Sequence, residues 1–261
     1  MTVAKDFHNI KFAIEDRVAR ITFARPSLNI FNIAMMREIG DALNDCSDQN
    51  DLVAIVFDAA EGSRAFSAGV AVEEHVPETV IEMLDSFHDI FRKLNQISRP
   101  AIAVVNGAAL GGGCELVAAC DIVIASDRAK FGQPEIKLGV FPPVAAILLP
   151  RIIGEKKARA MILTGETIDA AEALRLGLVS HLVPGDSLQQ TANEVLARLR
   201  ELSSSSLAMT RRAIDIAGGA DFSHSLEQVE NLYLQALMKT EDANEGLRSF
   251  MEKRKPEWRN R

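Results

Sequence analysis

Two carboxylates are placed where chemistry could use them. Glu115 lies inside "GGGCELVAAC", Gly111 to Cys120, among Cys114, Leu116, Val117, Ala118 and Ala119. A helix this apolar has little face left for water. An unpaired buried carboxylate is costly unless it takes a proton or finds a partner, and the same cost lifts its pKa toward neutrality. A carboxyl group poised there suits general acid–base work. The plainer alternative is a glutamate on a narrow solvated stripe or in a buried ion pair. Glu135, in "FGQPEIKLGV", follows Pro134 on a loop or at a helix entrance. Loop glutamates are ordinarily solvated, so Glu135 matters only if the fold brings it back to Glu115. A helix–strand–loop excursion through "DIVIA" can do that.

Two turns of small residues accompany the carboxylates. Gly111-Gly112-Gly113 opens the Glu115 helix, and "FSAGV", Phe66 to Val70, follows a buried strand. The first is neither a Walker loop nor GxGxxG, so phosphate cradling is poorly supported. A helix start with bare N–H groups, beside a second turn with another free N–H, can instead hold a developing oxyanion. Tight chain packing is the alternative for both. GxSxG is absent, which disfavours a serine-hydrolase elbow. The five histidines are scattered without a metal-binding spacing. Cys46, Cys114 and Cys120 form no CxxC pair, so no metal centre or disulfide framework is expected.

These residues need a scaffold. "IKFAIED" and "RVARITFA" flank a polar turn and read as a hairpin. "NIAMMREIGDALNDCS" places Ile33, Met36, Ile39 and Leu43 on one helical face behind Asn32 as N-cap. Leu52–Asp58 is a nearly all-apolar run and Ala101–Val105 a continuous one, as in strands buried on both faces. A helix starting near Pro77 carries Ile81, Leu84, Phe87, Phe91, Leu94 and Ile97. Strand, small-residue turn, helix therefore occurs twice. After Gly154 the pattern turns helical, with Gly165 and Gly177 as stops, three helices between Ser187 and Lys253, and Ser203–Ser206 as a loop.

The totals narrow the function. The chain has 261 residues, 48% hydrophobic and 25% charged, enough for a sizeable core. A net charge of −7 argues against nucleic acid or an anionic membrane as partner. No stretch is long and apolar enough to span a bilayer, because Pro142, Pro143 and Pro150 interrupt the most apolar one. The first residues lack the apolar segment of a signal peptide. A cytoplasmic location with reduced thiols is expected. Arg211, Arg212 and "EKRKPEWRNR" read as solvated helix ends, or as a cationic rim for a phosphorylated ligand.

In order along the chain, "ARPSLNIFN", "AFSAGV", "NGAALGGGCELVAACDIVIAS", "AKFGQPEIKLGV", "ILTGETIDAAEALRLGLVSHLV" and "EDANEGLRSFMEKRKPEW" resemble the enoyl-CoA hydratase/isomerase (crotonase) superfamily. The resemblance implies an α/β fold, a spiral of strand–strand–helix repeats with a C-terminal helical region. It implies a spiral core over 1–200 carrying the active site and an oligomerisation region over 201–261, in homotrimers or homohexamers. It implies hydro-lyase activity on an acyl-CoA thioester without a cofactor or metal. Val70 and Gly112 would give the oxyanion N–H groups, and Glu115 and Glu135 would be catalytic. Ser67, Ala68, Gly69 and Gly111 would line the CoA path, with Arg64 and Arg25 as further CoA contacts.

Two departures bear on the substrate. Ala71 stands where hydratases of this kind usually carry an aspartate, and "PPVAAILLPRI" replaces a glycine-rich loop. With "LNIFNIAMMRE" and "FSAGVAVEEHVPE", this resembles the cyclohexa-1,5-dienecarbonyl-CoA hydratases, whose substrate is a flat conjugated ring. A wall running from Phe141 to Leu149 would then select the ring. A general 2-enoyl-CoA hydratase, an isomerase using one glutamate, and a non-catalytic CoA- or RNA-binding member are the alternatives.

Overall fold

The computed structural model describes residues 3–25, 27–202, 204–217, 222–235, 237–239 and 241–255. The chain opens with strands β1 (Val3–Asp6), β2 (Ile10–Glu15) and β3 (Val18–Phe23), then helix α1 (Ile33–Ser47). Next come β4 (Ala54–Ala59), β5 (Ala65–Ser67), α2 (Val80–Ile97), β6 (Ala101–Val105), β7 (Ala108–Leu110) and α3 (Gly112–Ala119). They are followed by β8 (Ile122–Ser126), β9 (Lys130–Gly132), α4 (Pro143–Ile153), α5 (Glu155–Thr164), β10 (Thr167–Asp169), α6 (Ala170–Arg175) and β11 (His181–Val183). Helices α7 (Leu188–Arg200), α8 (Ser204–Ala217), α9 (Phe222–Gln235) and α10 (Glu241–Met251) complete it.

The strands form a seven-stranded sheet, β1-β2-β3-β4-β6-β8-β11, and a four-stranded sheet, β10-β9-β7-β5. Each repeat starts in the larger sheet, crosses to the smaller and leaves through a helix: β4–β5–α2, β6–β7–α3 and β8–β9–α4. That is the strand–strand–helix spiral. Its strands are parallel within each sheet from β3 to β8 and from β5 to β9.

The apolar runs take their form from burial on two faces. Along β4, Ile55 and Phe57 enter the main core, while Ala54 and Val56 face the layer closed by Leu188, Ala192, Val195 and Leu196 of α7. Along β6, Ala101, Ala103 and Val105 point one way and Ile102 and Val104 the other. Period-two alternation puts consecutive side chains on opposite faces, so both sets must be apolar.

The β2–β3 hairpin turns on Asp16 and Arg17, with φ of 46° and 65°, a pair of left-handed residues matched to strand twist. Asn32 caps α1 by accepting from the Met35 N–H at 3.0 Å. Several expectations shift. Strand β1 precedes the hairpin and pairs antiparallel with β2. Helix α2 starts at Val80, not Pro77, and Ile81 is exposed while Met83 and Ile90 fill its inner face. Short strands β10 and β11 interrupt the region read as helical, and four helices occupy the stretch read as three. Ser204–Ser206 begin α8, and Ser203 lies outside the described residues, as do Pro256–Arg261 of the basic end. The proline segment is itself helix α4, because Pro143 occupies the first turn, where a missing N–H is harmless. Among the described residues, no helix is long and apolar enough to cross a membrane.

Candidate active site

The two small-residue turns lie side by side at the ends of β5 and β7. Four phenylalanines support the first from below: Phe23 meets Phe31 and Phe66 edge-on, each at 5.1 Å between centroids, and tilts against Phe57. Phe31 N–H donates to Gly69 O and Ala71 N–H donates to Phe31 O, both at 2.8 Å. In extended chain, successive backbone groups alternate in direction. The Val70 N–H therefore points away from Phe31. Gly69 takes φ 107°, and a Cβ there would lie 3.6 Å from the Gly112 nitrogen.

In the second turn Gly111 has φ 50°, and its N–H donates to Gly132 O at 2.9 Å. Gly112 begins α3, where first-turn N–H groups have no intrahelical acceptor. Among the described residues, neither the Val70 nor the Gly112 N–H has a protein acceptor. A Cβ on Gly112 would meet Val70 Cγ2 at 2.8 Å and Phe87 Cζ at 2.9 Å, and one on Gly113 would meet Ser67 O at 2.5 Å. The glycine run is thus set by close approach of the two turns.

Glu115, one turn into α3, is 3% exposed. It is held by the start of α4, whose Ala145 N–H donates to Glu115 Oε1 at 2.8 Å, with Val144 N–H as a second donor. The bare N–H groups and positive end of a helix are a ready anion site. Burial pushes Glu115 up to about 7, and the two N–H groups restrain the rise. Glu135 lies in a short 3-10 turn, Pro134–Leu138, after β9. One of its oxygens abuts Gly111, where a Cβ would approach to 2.6 Å. With its NH2 turned to the carboxylate, as the surrounding donors and acceptors require, buried Gln133 donates to both Glu135 oxygens at 3.2 Å. Burial and the adjacent Glu115 charge push Glu135 well above the usual carboxylate range. Two such groups titrate as a pair, holding a proton between them near neutral pH.

Both carboxylates open on a cavity of about 380 Å³, together with Ala68, Gly69, Val70, Gly111 and Gly112. The other wall is apolar: Met83, Leu84 and Phe87 from α2, then Val140, Phe141 and Pro142. Of the segment expected to form the acyl wall, Phe141, Pro142 and Pro143 reach the cavity, whereas Leu148 packs on the core behind it. Residues beyond 200 contribute too: Tyr233 of α9 and Phe250 of α10 line the same cavity. The site is therefore not confined to the 1–200 stretch expected to carry it.

Three expected contacts lie off the cavity wall. Ser67 is fully buried; its hydroxyl donates to Asn29 O at 2.7 Å and accepts from Gly69 N–H at 3.2 Å, so it fixes the turn from behind. Arg64 bonds Ser27 Oγ, and Arg25 bonds Ile30 O at 2.7 Å. Arg211 pairs with Asp121 at 2.8 Å. Conversely, His75 lines the cavity unforeseen. Its Nδ1 sits 2.8 Å from Ala71 O, and burial lowers its pKa, so the neutral ring donates from Nδ1. Nothing in the scattered histidine spacing signals this, because the 3-10 turn Val72–Glu74 delivers the ring. Among the described residues no cluster could hold a metal ion.

Residues 13–261 match the enoyl-CoA hydratase/isomerase family. The chain is 41% identical over 250 residues to the probable enoyl-CoA hydratase of Mycobacterium tuberculosis, covering 95% of this chain and 96% of that one. It is 40% identical over 244 residues to the cyclohexa-1,5-dienecarbonyl-CoA hydratase of Thauera aromatica, covering 93% of each. A crystal structure of an enoyl-CoA hydratase from Mycobacterium avium superposes with a TM-score of 0.87 at 28% identity, over 98% of this chain and all of that one. With its spiral repeats and its two abutting turns, this chain belongs to the enoyl-CoA hydratase/isomerase family, whose hydratases are hydro-lyases.

Proposed function

We propose that the protein adds water across a conjugated double bond of an acyl-CoA thioester. The observation that carries this is the pair of carboxylates, Glu115 buried and Glu135 half-buried, lining one cavity beside two unclaimed N–H groups. Val70 and Gly112 donate to the thioester oxygen and hold the negative charge that gathers there as water adds. Electrostatic donors fixed before reaction stabilise such charge most effectively in a dry site. Glu115, held anionic by the start of α4, takes a proton from water. Glu135, pushed above the usual carboxylate range by burial and by the Glu115 charge, gives its proton to carbon. Proton transfer from Glu115 to Glu135 restores the starting state, so no cofactor or metal is required. Ala68, Gly69 and Gly111 flank the thioester arm. Ser67 braces that path, and Arg64 and Arg25 meet CoA outside the cavity. Assembly into trimers or hexamers and a cytoplasmic location fit this reading.

The finer reading is a cyclic dienoyl-CoA such as cyclohexa-1,5-diene-1-carbonyl-CoA. Identity alone does not separate it from a general enoyl substrate, since relatives of both names match almost equally. What favours it is the aromatic wall of Phe87, Phe141 and Tyr233 facing the carboxylates, which suits a flat ring better than a long chain. Apolar walls discriminate by ~1–3 kcal/mol per methylene, so the preference should be graded. The test is kcat/KM of the purified protein for the cyclic dienoyl-CoA and for crotonyl-CoA. The larger value is expected for the ring. A preference for crotonyl-CoA would leave the general hydratase standing.

A further inference from the structure

Tyr233 is the sole tyrosine of the chain and sits deep in the cavity wall. Its ring meets Phe141 edge-on, with centroids 5.1 Å apart at 69°. The side chain is 1% exposed, yet among the described residues no protein group hydrogen-bonds its hydroxyl, and the oxygen is not sealed off. Buried tyrosine hydroxyls ordinarily find a partner. Burial and the charges of Glu135 and Glu115 push the phenol far above its usual range, so it stays protonated and acts as a donor. Other polar side chains on the wall are committed or outlying: the His75 ring donates to Ala71 O, and Lys137 is exposed. Tyr233 is thus a buried neutral donor aimed at the space that the two glutamates share.

We infer that Tyr233 is a specificity-determining residue whose hydroxyl donates to the oxygen that water brings to the acyl group. It would hold that oxygen as water before addition and as the product hydroxyl afterwards. This rests on the hydratase reading above and names a third polar group for the oxygen, set on the C-terminal helices rather than on the spiral.

Tyr233→Phe removes the hydroxyl and keeps the ring on Phe141. The probes are a hydroxyacyl-CoA product and the saturated acyl-CoA of the same skeleton, with affinities measured by calorimetry beside kcat and Tm. The variant should keep its Tm, bind the hydroxyacyl-CoA about tenfold more weakly, as for one neutral hydrogen bond, and bind the saturated acyl-CoA as wild type does. Hydration kcat should fall by a similar factor. Phe141→Leu, which loosens the ring but spares the hydroxyl, should weaken both ligands alike. Equal changes for both ligands in Tyr233→Phe, or no change, would overturn the inference. A wild type that hydrates no enoyl-CoA would instead overturn the hydratase reading, and the two failures are told apart by the wild-type assay.

Discussion

The two walls of the cavity are built on different terms. On the spiral side, Ala68–Val70 and Gly111–Gly112 present backbone, held by β5, β7 and the start of α3, and a Cβ added at Gly111 or Gly112 would come within 3 Å of a neighbouring atom. On the acyl side, Phe87, Phe141, Tyr233 and Phe250 present side chains from four separate segments, three of them helices. The first wall is fixed by close backbone approach, so a single atom added there displaces something. The second is fixed by packing, which adjusts to volume changes at moderate cost. Chemistry common to a family suits the first wall, and a choice of acyl group suits the second. Glu115 joins the two, because the spiral side places it and α4, from the acyl side, binds it.

The carboxylates give the sharpest way to break this division. Glu115→Gln and Glu135→Gln should each lower hydration kcat by ~10²–10⁴, as expected for loss of a general acid or base, while binding of a saturated acyl-CoA persists. Steady-state kinetics with a binding assay checks this, and near-wild-type turnover in either variant would sink the two-carboxylate account. Glu115 also makes a stability prediction. Its pKa in the fold lies above that of the unfolded chain, so the folded state holds a proton that the unfolded state releases. Stability is then lost as pH rises from about 4.5 to about 7. Glu115→Gln should remove that loss, making the variant more stable than wild type by ~2–3 kcal/mol at pH 8 and not at pH 4, in denaturant titrations.

The backbone wall comes next in size. Gly112→Ala places a methyl against Val70 and Phe87 and pushes the substrate oxygen off its donors. Losing one such donor costs about 3 kcal/mol, so turnover should drop ~10²-fold with acyl-CoA affinity less affected. Equal loss of both would mean that Gly112 serves packing alone. The side-chain wall should give the smallest effect. Phe141→Ala should change the ratio of kcat/KM for cyclic and linear substrates by roughly tenfold. Leu148→Gly, behind the wall, should lower Tm and leave that ratio unmoved.

Legibility in the sequence follows the same division. The Glu115 helix, the two turns and the buried strands were readable because their constraints are local: glycine where no Cβ fits, and apolar runs where both faces are covered. Glu135 was readable as a candidate, but its pairing with Glu115 needed the family resemblance. The stretch "PPVAAILLP" is legible only in part, since Pro142 and Pro143 reach the cavity and Leu148 does not. Its apolar, proline-bounded composition resembles a wall, yet α4 acts through its N–H groups, which no side-chain pattern encodes. Tyr233 is not legible because long-range packing of α9 delivers it, and His75 is not because a 3-10 turn, rather than any histidine spacing, carries its ring to the cavity. The Asn29–Ser67 contact likewise joins segments whose proximity only the fold creates.

The most direct test of the central claim is the product formed from an enoyl-CoA in D2O, read by mass spectrometry after exchange back into ordinary water. Water addition through the glutamate pair predicts a hydroxyacyl-CoA that keeps one deuterium on carbon. A product without the added hydroxyl, an isomer carrying deuterium alone, would contradict it.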